Sequence, residues 1–590
     1  MHWHQSVDGI QLENEELAAN VDADGRLLNV IGPARPGIED TETTPDIGAG
    51  RALGLAAADA GATRSTEVSE GPDGSADAVE FAGGDKAHLV LYGDADGPRL
   101  AWQVEVPADS QHYYQYDIDA HDGSVLSRQN LVAFENVRTY DLWPEAQTFG
   151  NFKGGQPQVR PLLRLGNGQD DPWRYNTQAP PYNFAFQTLA GNQAILLLDF
   201  NDDNGQGATA DNFVQPSDGS NNWVYPQNYV NLSSPYRCPP GGRCTWSPTG
   251  PFANWYANAG QTGAQSYWFV NNFHDHLEAN PIGFTEASGN FELINQDGQG
   301  GAPNDELFLQ ALDGANTAIG YPDASHVNNA NMLTLADGQS PTMQMYLFTQ
   351  FPAGKPPQNG VFETDGGDDA SIVYHEYTHG LSNRLVGGPA TQGTLGAQQS
   401  AAMGEGWSDW YAYDYLVGQG LIPDKANRSG ELIQGKYTNL TVVRTQAIDC
   451  AVGASKKQCP AKKGGKAGSG GYTYGDYGKI LGGPEFHADG EIWVQTLWDL
   501  RQAMIKKYGA KNGVARTEFL VTNGLRLTPV KPSYLDARDG ILQANAGAQG
   551  FNAKSVIWKV FAKRGMGSNA RSNGPNDNRP KQGFKNPTKR

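Results

Sequence analysis

The alternation of apolar and polar positions changes character along the chain. Residues 1–32 alternate in short runs broken at DADG (22–25), as in a hairpin. RALGLAAADAG (51–61) predicts a short helix, and RLAWQVEV (99–106) and YYQYDIDAHDGSVLSR (113–128) predict strands turning at HDG. Residues 140–260, rich in Asn, Gly, Gln, Pro and aromatics with little periodicity, predict strands joined by long loops. From about 265 a helical period sets in. SYWFVNNFHDHLEANPIGF (266–284) predicts one amphipathic helix, with others near 365–385, 398–417, 487–507, 534–547 and 555–564. The last segment, 568–590, is basic and without hydrophobic pattern, which predicts a flexible tail.

Composition narrows the partners. The 590 residues carry 64 acidic and 44 basic side chains, and a net charge of −20 argues against nucleic acid or an anionic membrane as partner. The longest apolar run, AILLLDF (194–200), is far short of the roughly 18 residues needed to span a bilayer. MHWHQSVDGI does not have the form of a signal peptide, so export would require a signal upstream of this chain. Four cysteines form two close pairs, Cys238/Cys244 and Cys450/Cys459, each in a loop; the spacing fits two local disulfides outside the cell, the alternative being four unpaired thiols.

The chemistry concentrates in SIVYHEYTHGLSNRL (371–385). On a helix, His375 and His379 share a face and can aim both rings at one ion, while Glu376, about 100° around, sits beside that ion within reach of water. A catalytic zinc site needs a third protein ligand. Ser382 and Leu385 occupy the positions where a metzincin places its glycine and third histidine, which excludes that arrangement. The other option takes a glutamate from the next helix, and AAMGEGWSDWYAYDYL (401–416) offers Glu405, with Asp409 one turn on to hold the second ring nitrogen of His375. His487, heading the helix in PEFHADGEIWVQTLWDLR (484–501), is a candidate donor to an oxyanion, although a histidine at a helix start can equally be structural. In HDH (274–276) the two rings point nearly opposite ways on a helix, so they are read as structural. DFNDDNG (199–205) spaces Asp199, Asn201 and Asp203 like a calcium loop. Its glycine comes one position late and the closing glutamate is missing, so the reading is a solvated acidic turn, with Ca2+ as an optional second ion.

HEYTHGLSNRLVGG (375–388) and GEGWSD (404–409) resemble the zinc motifs of fungalysin-type metallopeptidases, relatives of thermolysin. NNANMLTLADGQSPTMQMYLF (328–348), HADGEIW (487–493), DARDGILQA (536–544), IWKVFAKRGMG (557–567) and the helix with NNFHDHL (271–277) are also similar to family segments, and the first block resembles the family's propeptide. The resemblance implies an α+β architecture. A strand-rich propeptide over 1–131 precedes a two-part zincin domain, β-rich over 132–370 and helical and zinc-binding over 371–567. It further implies a secreted zinc endopeptidase acting on internal bonds of extracellular proteins or peptides, inhibited by its own propeptide and monomeric. His375, His379 and Glu405 would hold one Zn2+, Glu376 would be the general base, His487 would lie near the oxyanion, and Asn329 and Ala330 would hold substrate backbone by strand addition. The family's oxyanion tyrosine has no clear counterpart, Tyr472 and Tyr474 being candidates. The rival readings are a weak or inactive zincin used for extracellular binding, and an exopeptidase.

Overall fold

A computed structural model describes residues 2–589 apart from short segments, of which 69–77, 163–172, 230–243 and 350–362 are the longest. The chain divides into two compact units, one comprising residues 1–134 and the other 135–162 with 171–590.

In the first unit, strands Lys86–Asp94, Gly97–Asp109, His112–Asp119 and Val125–Asn130 follow one another as an antiparallel meander. Ile10–Val21 and Leu27–Ile31 pair antiparallel, their connecting residues lying outside the described ones. Helix α1 (Ala49–Asp59) buries its alanine- and leucine-rich face, Ala52, Leu53 and Ala56, in the core formed with Leu91, Trp102, Val104 and Ile118.

The second unit is organised around helices. Its four-stranded sheet runs in the order Ala194–Leu198, Leu307–Ala311, Thr342–Met345, Ala330–Leu333; the first two pairings are parallel and the last is antiparallel. AILLL is a fully buried run, as a strand covered on both faces requires, whereas Ala330–Leu333 at the sheet edge is only partly buried. Helix α2 (Ala259–Glu278) is buried along most of its length. Helices α3 (Ala370–Leu385), α4 (Gln398–Gly418), α5 (Phe486–Tyr508), α6 (Ala510–Arg526), α7 (Tyr534–Gly547) and α8 (Lys554–Lys563) follow. One hydrophobic core runs through the unit; Trp493 of α5 meets Trp407 of α4 edge-on at 5.6 Å and lies 5.4 Å from Tyr534 of α7.

Two glycines let α4 and α5 approach backbone to backbone. A Cβ on Gly406 would stand 2.7 Å from the carbonyl oxygen of Gly490, and one on Gly490 would stand 2.8 Å from Glu405 Cβ. No larger residue fits this crossing, which sets Glu405 on α4 beside the head of α5.

Residues 568–589 do not form the expected free tail. The chain folds back so that Gly567 N–H donates to Gly583 at 2.7 Å, and Arg571 and Lys581 exchange backbone hydrogen bonds. Gln399 Nε2 donates to the carbonyl of Asp577 at 2.8 Å. Backbone pairing fixes a polar segment that has no apolar pattern to reveal it. The Cys450–Cys459 disulfide closes its loop, and the buried Arg564 ties that loop to α5 by donating to Cys450 O and Asp499 Oδ2. Cys244 is also disulfide-bonded, while Cys238 lies outside the described residues. Among the described residues no helix is long and apolar enough to cross a membrane.

Candidate active site

Helix α3 begins where Asp369 caps it, its carboxylate accepting from Ser371 N–H. Every residue of α3 is buried except His379 and Asn383, and these two face the same cleft. That cleft, of about 560 Å³, lies between the edge strand, α3, α4 and the head of α5.

His375, His379 and Glu405 converge on one point of it. Their donor atoms stand 3.1 Å (Nε2 to Nε2), 3.3 Å (His375 Nε2 to Glu405 Oε2) and 3.4 Å (His379 Nε2 to Glu405 Oε1) apart. Three ligands about 2.0–2.1 Å from one tetrahedral ion lie about 3.3–3.4 Å from each other, so these spacings fit a single ion of zinc's size. Asp409 Oδ1 is 2.7 Å from His375 Nδ1, an orientation that turns Nε2 toward Glu405 and His379. Two imidazole nitrogens and a carboxylate held this close are the ligand types that zinc takes. The donor set therefore fits a metal.

Arg444 completes the constellation. It donates to Glu405 Oε2 at 2.9 Å and to both oxygens of Asp409 at 2.9 and 3.1 Å. A buried cation thus joins a ligand to the carboxylate that orients another ligand. The sequence reading passed over Arg444. Its signal was a lone cation in the apolar run TVVRTQAI, where a charge is stable only if paired.

The electrostatics follow from burial and from these partners. Burial pulls the His375 ring down, but hydrogen bonds to Asp409 and Glu405 outweigh it and raise the ring to about 10. Desolvation pulls His379 down to about 4, although the charge of Glu405 opposes it. Burial opposes ionisation of Glu405, but His379, His375 and Arg444 hold it well below the usual carboxylate range. Burial pushes Glu376 up to about 7; Glu405 adds to this and His375 opposes it. A ligated metal would favour neutral imidazoles and ionised carboxylates at the same positions.

His487 lies on the rim, 45% exposed, with Nε2 3.9 Å from Glu405 Oε2. Glu485, the N-cap of α5, accepts from the backbone of Ala488 and stands 2.6 Å from His487 Nδ1. Sequence reasoning missed Glu485, because a glutamate at a helix start commonly serves only as a cap. Asn329 and Ala330 line the same cleft at the edge strand. Tyr472 and Tyr474 lie elsewhere, bonded to Thr445 and Gln399, and the described cleft residues include no tyrosine. In α2, His274 is buried beside Glu292 at 3.5 Å and the His276 ring packs on Tyr415, apart from the cleft.

The comparisons with known proteins address the same region. Extracellular metalloproteinase MEP of Leptosphaeria maculans is 29% identical over 97% of this chain and 82% of its own length. Extracellular metalloproteinase 3 of Trichophyton tonsurans is also 29% identical over the same shares, and extracellular metalloproteinase MEP of Neosartorya fischeri is 28% identical. The family model described as fungalysin metallopeptidase (M36) matches residues 173–570, a stretch that holds both ligand-bearing helices and α5. The chain therefore belongs to the fungalysin family of metal-dependent peptide hydrolases.

Proposed function

We propose that the chain is a secreted, zinc-dependent endopeptidase, made as an inactive precursor, that cuts internal bonds of extracellular proteins. The observation that carries this reading is the convergence of three donor side chains, their nearest ligand atoms 3.1–3.4 Å apart, at the floor of an open cleft. His375, His379 and Glu405 would hold the ion. When bound, zinc supplies Lewis acidity, bringing the pKa of a coordinated water to about 7 and polarising the scissile carbonyl.

The chain's own side chains do the rest. Glu376, whose buried carboxylate ionises near neutrality, takes the proton of the attacking water and delivers it to the leaving amine. His487 donates from Nε2 to the developing oxyanion. Its Nδ1 is engaged with Glu485, which holds the ring so that Nε2 faces the cleft. The edge strand at Asn329 and Ala330 receives the substrate as an added strand, holding the backbone irrespective of most side chains. Arg444 offsets the negative charge of Glu405 and Asp409, which the ion alone would otherwise have to neutralise.

The extracellular metalloproteinases that the chain resembles support secretion and protein substrates. Residues 1–131, which fall within the first compact unit of 1–134, would be the propeptide that keeps the precursor inactive. Glu376→Gln preserves size and hydrogen bonding but removes the base. It is expected to retain zinc while hydrolysis of casein falls by about 10²–10⁴-fold; near-normal hydrolysis by that variant would refute the role.

A further inference from the structure

A second cluster in the catalytic unit has the same chemical logic as the first. Asp202, Asp313 and His326 come from three separate segments and offer two carboxylate oxygens and an imidazole nitrogen, all within 4.8 Å of one another. His326 Nδ1 is 2.8 Å from Asp323 Oδ1, and its Nε2 is 3.1 Å from Asp202 Oδ2. The Asp323 carboxylate on Nδ1 orients the ring so that Nε2 faces the cluster, as Asp409 does for His375.

The independent sign of a ligand is Asp313. It is 0% exposed; one oxygen accepts from Gln344 Nε2 at 2.8 Å, while Oδ1 is buried without a hydrogen-bond partner. A buried carboxylate oxygen left unpaired is costly, and the charges of Asp199 and Asp202 bear on the same group. A cation among these oxygens removes both penalties. Asp199 itself is buried rather than solvated as the sequence reading held. Its oxygens accept from the backbone of Asp203 and Asn204, shaping the turn that carries Asp202.

We propose that Asp202, Asp313 and His326 form a second divalent-cation site, of the zinc class. An imidazole with two carboxylates suits a first-row transition ion or zinc, whereas calcium takes six to eight oxygens. The site has a position of consequence. From His326 the chain runs through Val327, bridged to Leu347, and Asn328, whose N–H donates to Leu347 O at 3.0 Å, into the edge strand at Ala330. Asp313 N–H donates to Met345 O at 3.1 Å, on the neighbouring strand. An ion there ties the lead-in of the cleft's edge strand to the sheet behind it.

Metal counting on the full chain, equilibrated with zinc and calcium and then dialysed, tests this. Wild type is expected to retain two zinc per chain, and Asp202→Asn and His326→Gln one each. His379→Ala, which disables the first site, is also expected to retain one. Asp202 is 38% exposed at its side chain, so its variant stands in if the histidine variant does not fold. One zinc in wild type, a count unchanged by Asp202→Asn, or calcium in place of the second zinc would overturn the proposal.

Discussion

His375 shows how a single residue is specified from two sides. One ring nitrogen meets Asp409 at 2.7 Å and the other faces Glu405 and His379, so orientation and ligation are set by different partners. Asp409→Asn keeps the shape but presents a weaker, neutral partner. Zinc affinity is expected to fall about 10–100-fold, measured by competition with a chelator, with the fold otherwise retained. The buried pair His274 and Glu292 is a different case, with no role in the cleft. Burial lowers the His274 pKa, but Asp275 and Glu292 outweigh it and hold it well above its ordinary 6.5. A raised pKa in the folded state gives a contribution that is complete below pH 6.5 and fades as pH rises through the raised value. His274→Gln is therefore expected to be least stable relative to wild type below the ordinary histidine value, with the gap narrowing as pH rises above it, as read by denaturant unfolding. A gap that widens with pH would contradict the pairing.

At the scale of elements, the α4–α5 crossing governs the site. Gly490→Ala puts a methyl 2.6 Å from the carbonyl of Ala402 and 2.8 Å from Glu405 Cβ, so α5 must move away. The expected outcome is a loss of about 1–3 kcal/mol in unfolding experiments, with kcat/KM reduced through displacement of His487 and Glu405. Helices whose residues repeat at helical spacing, such as those carrying HEYTH and GEGWSD, were legible because apolar residues and paired ligands recur on one face. Helix α6 was not. KNG at its start reads as a turn, yet Gly513 is needed where a Cβ would stand 2.4 Å from the backbone of Ile505, and Gly524 where one would stand 2.7 Å from the side chain of Ile541. Close packing chose those glycines, and local propensity cannot distinguish that from a break. The returning segment 568–589 escaped for a related reason, since its order comes from backbone pairing rather than apolar burial.

For the whole molecule, sequence spacing could propose which helices carry the donors, but only the fold brings together side chains 30 and 26 residues apart at 3.3–3.4 Å (His375 and Glu405; His379 and Glu405) and adds Arg444 to them. The acidic chain, at −20, is suited to stay dispersed in solution and to repel polyanions. The central claim is that one ion, held by His375, His379 and Glu405, enables cleavage within a peptide chain. The most direct measurement is hydrolysis of a peptide blocked at both ends by the active form, before chelation, after it, and after zinc is restored. Cleavage at an internal bond, lost on chelation and recovered with zinc, is the predicted result; cleavage indifferent to the chelator, or restricted to peptides with a free terminus, would contradict it.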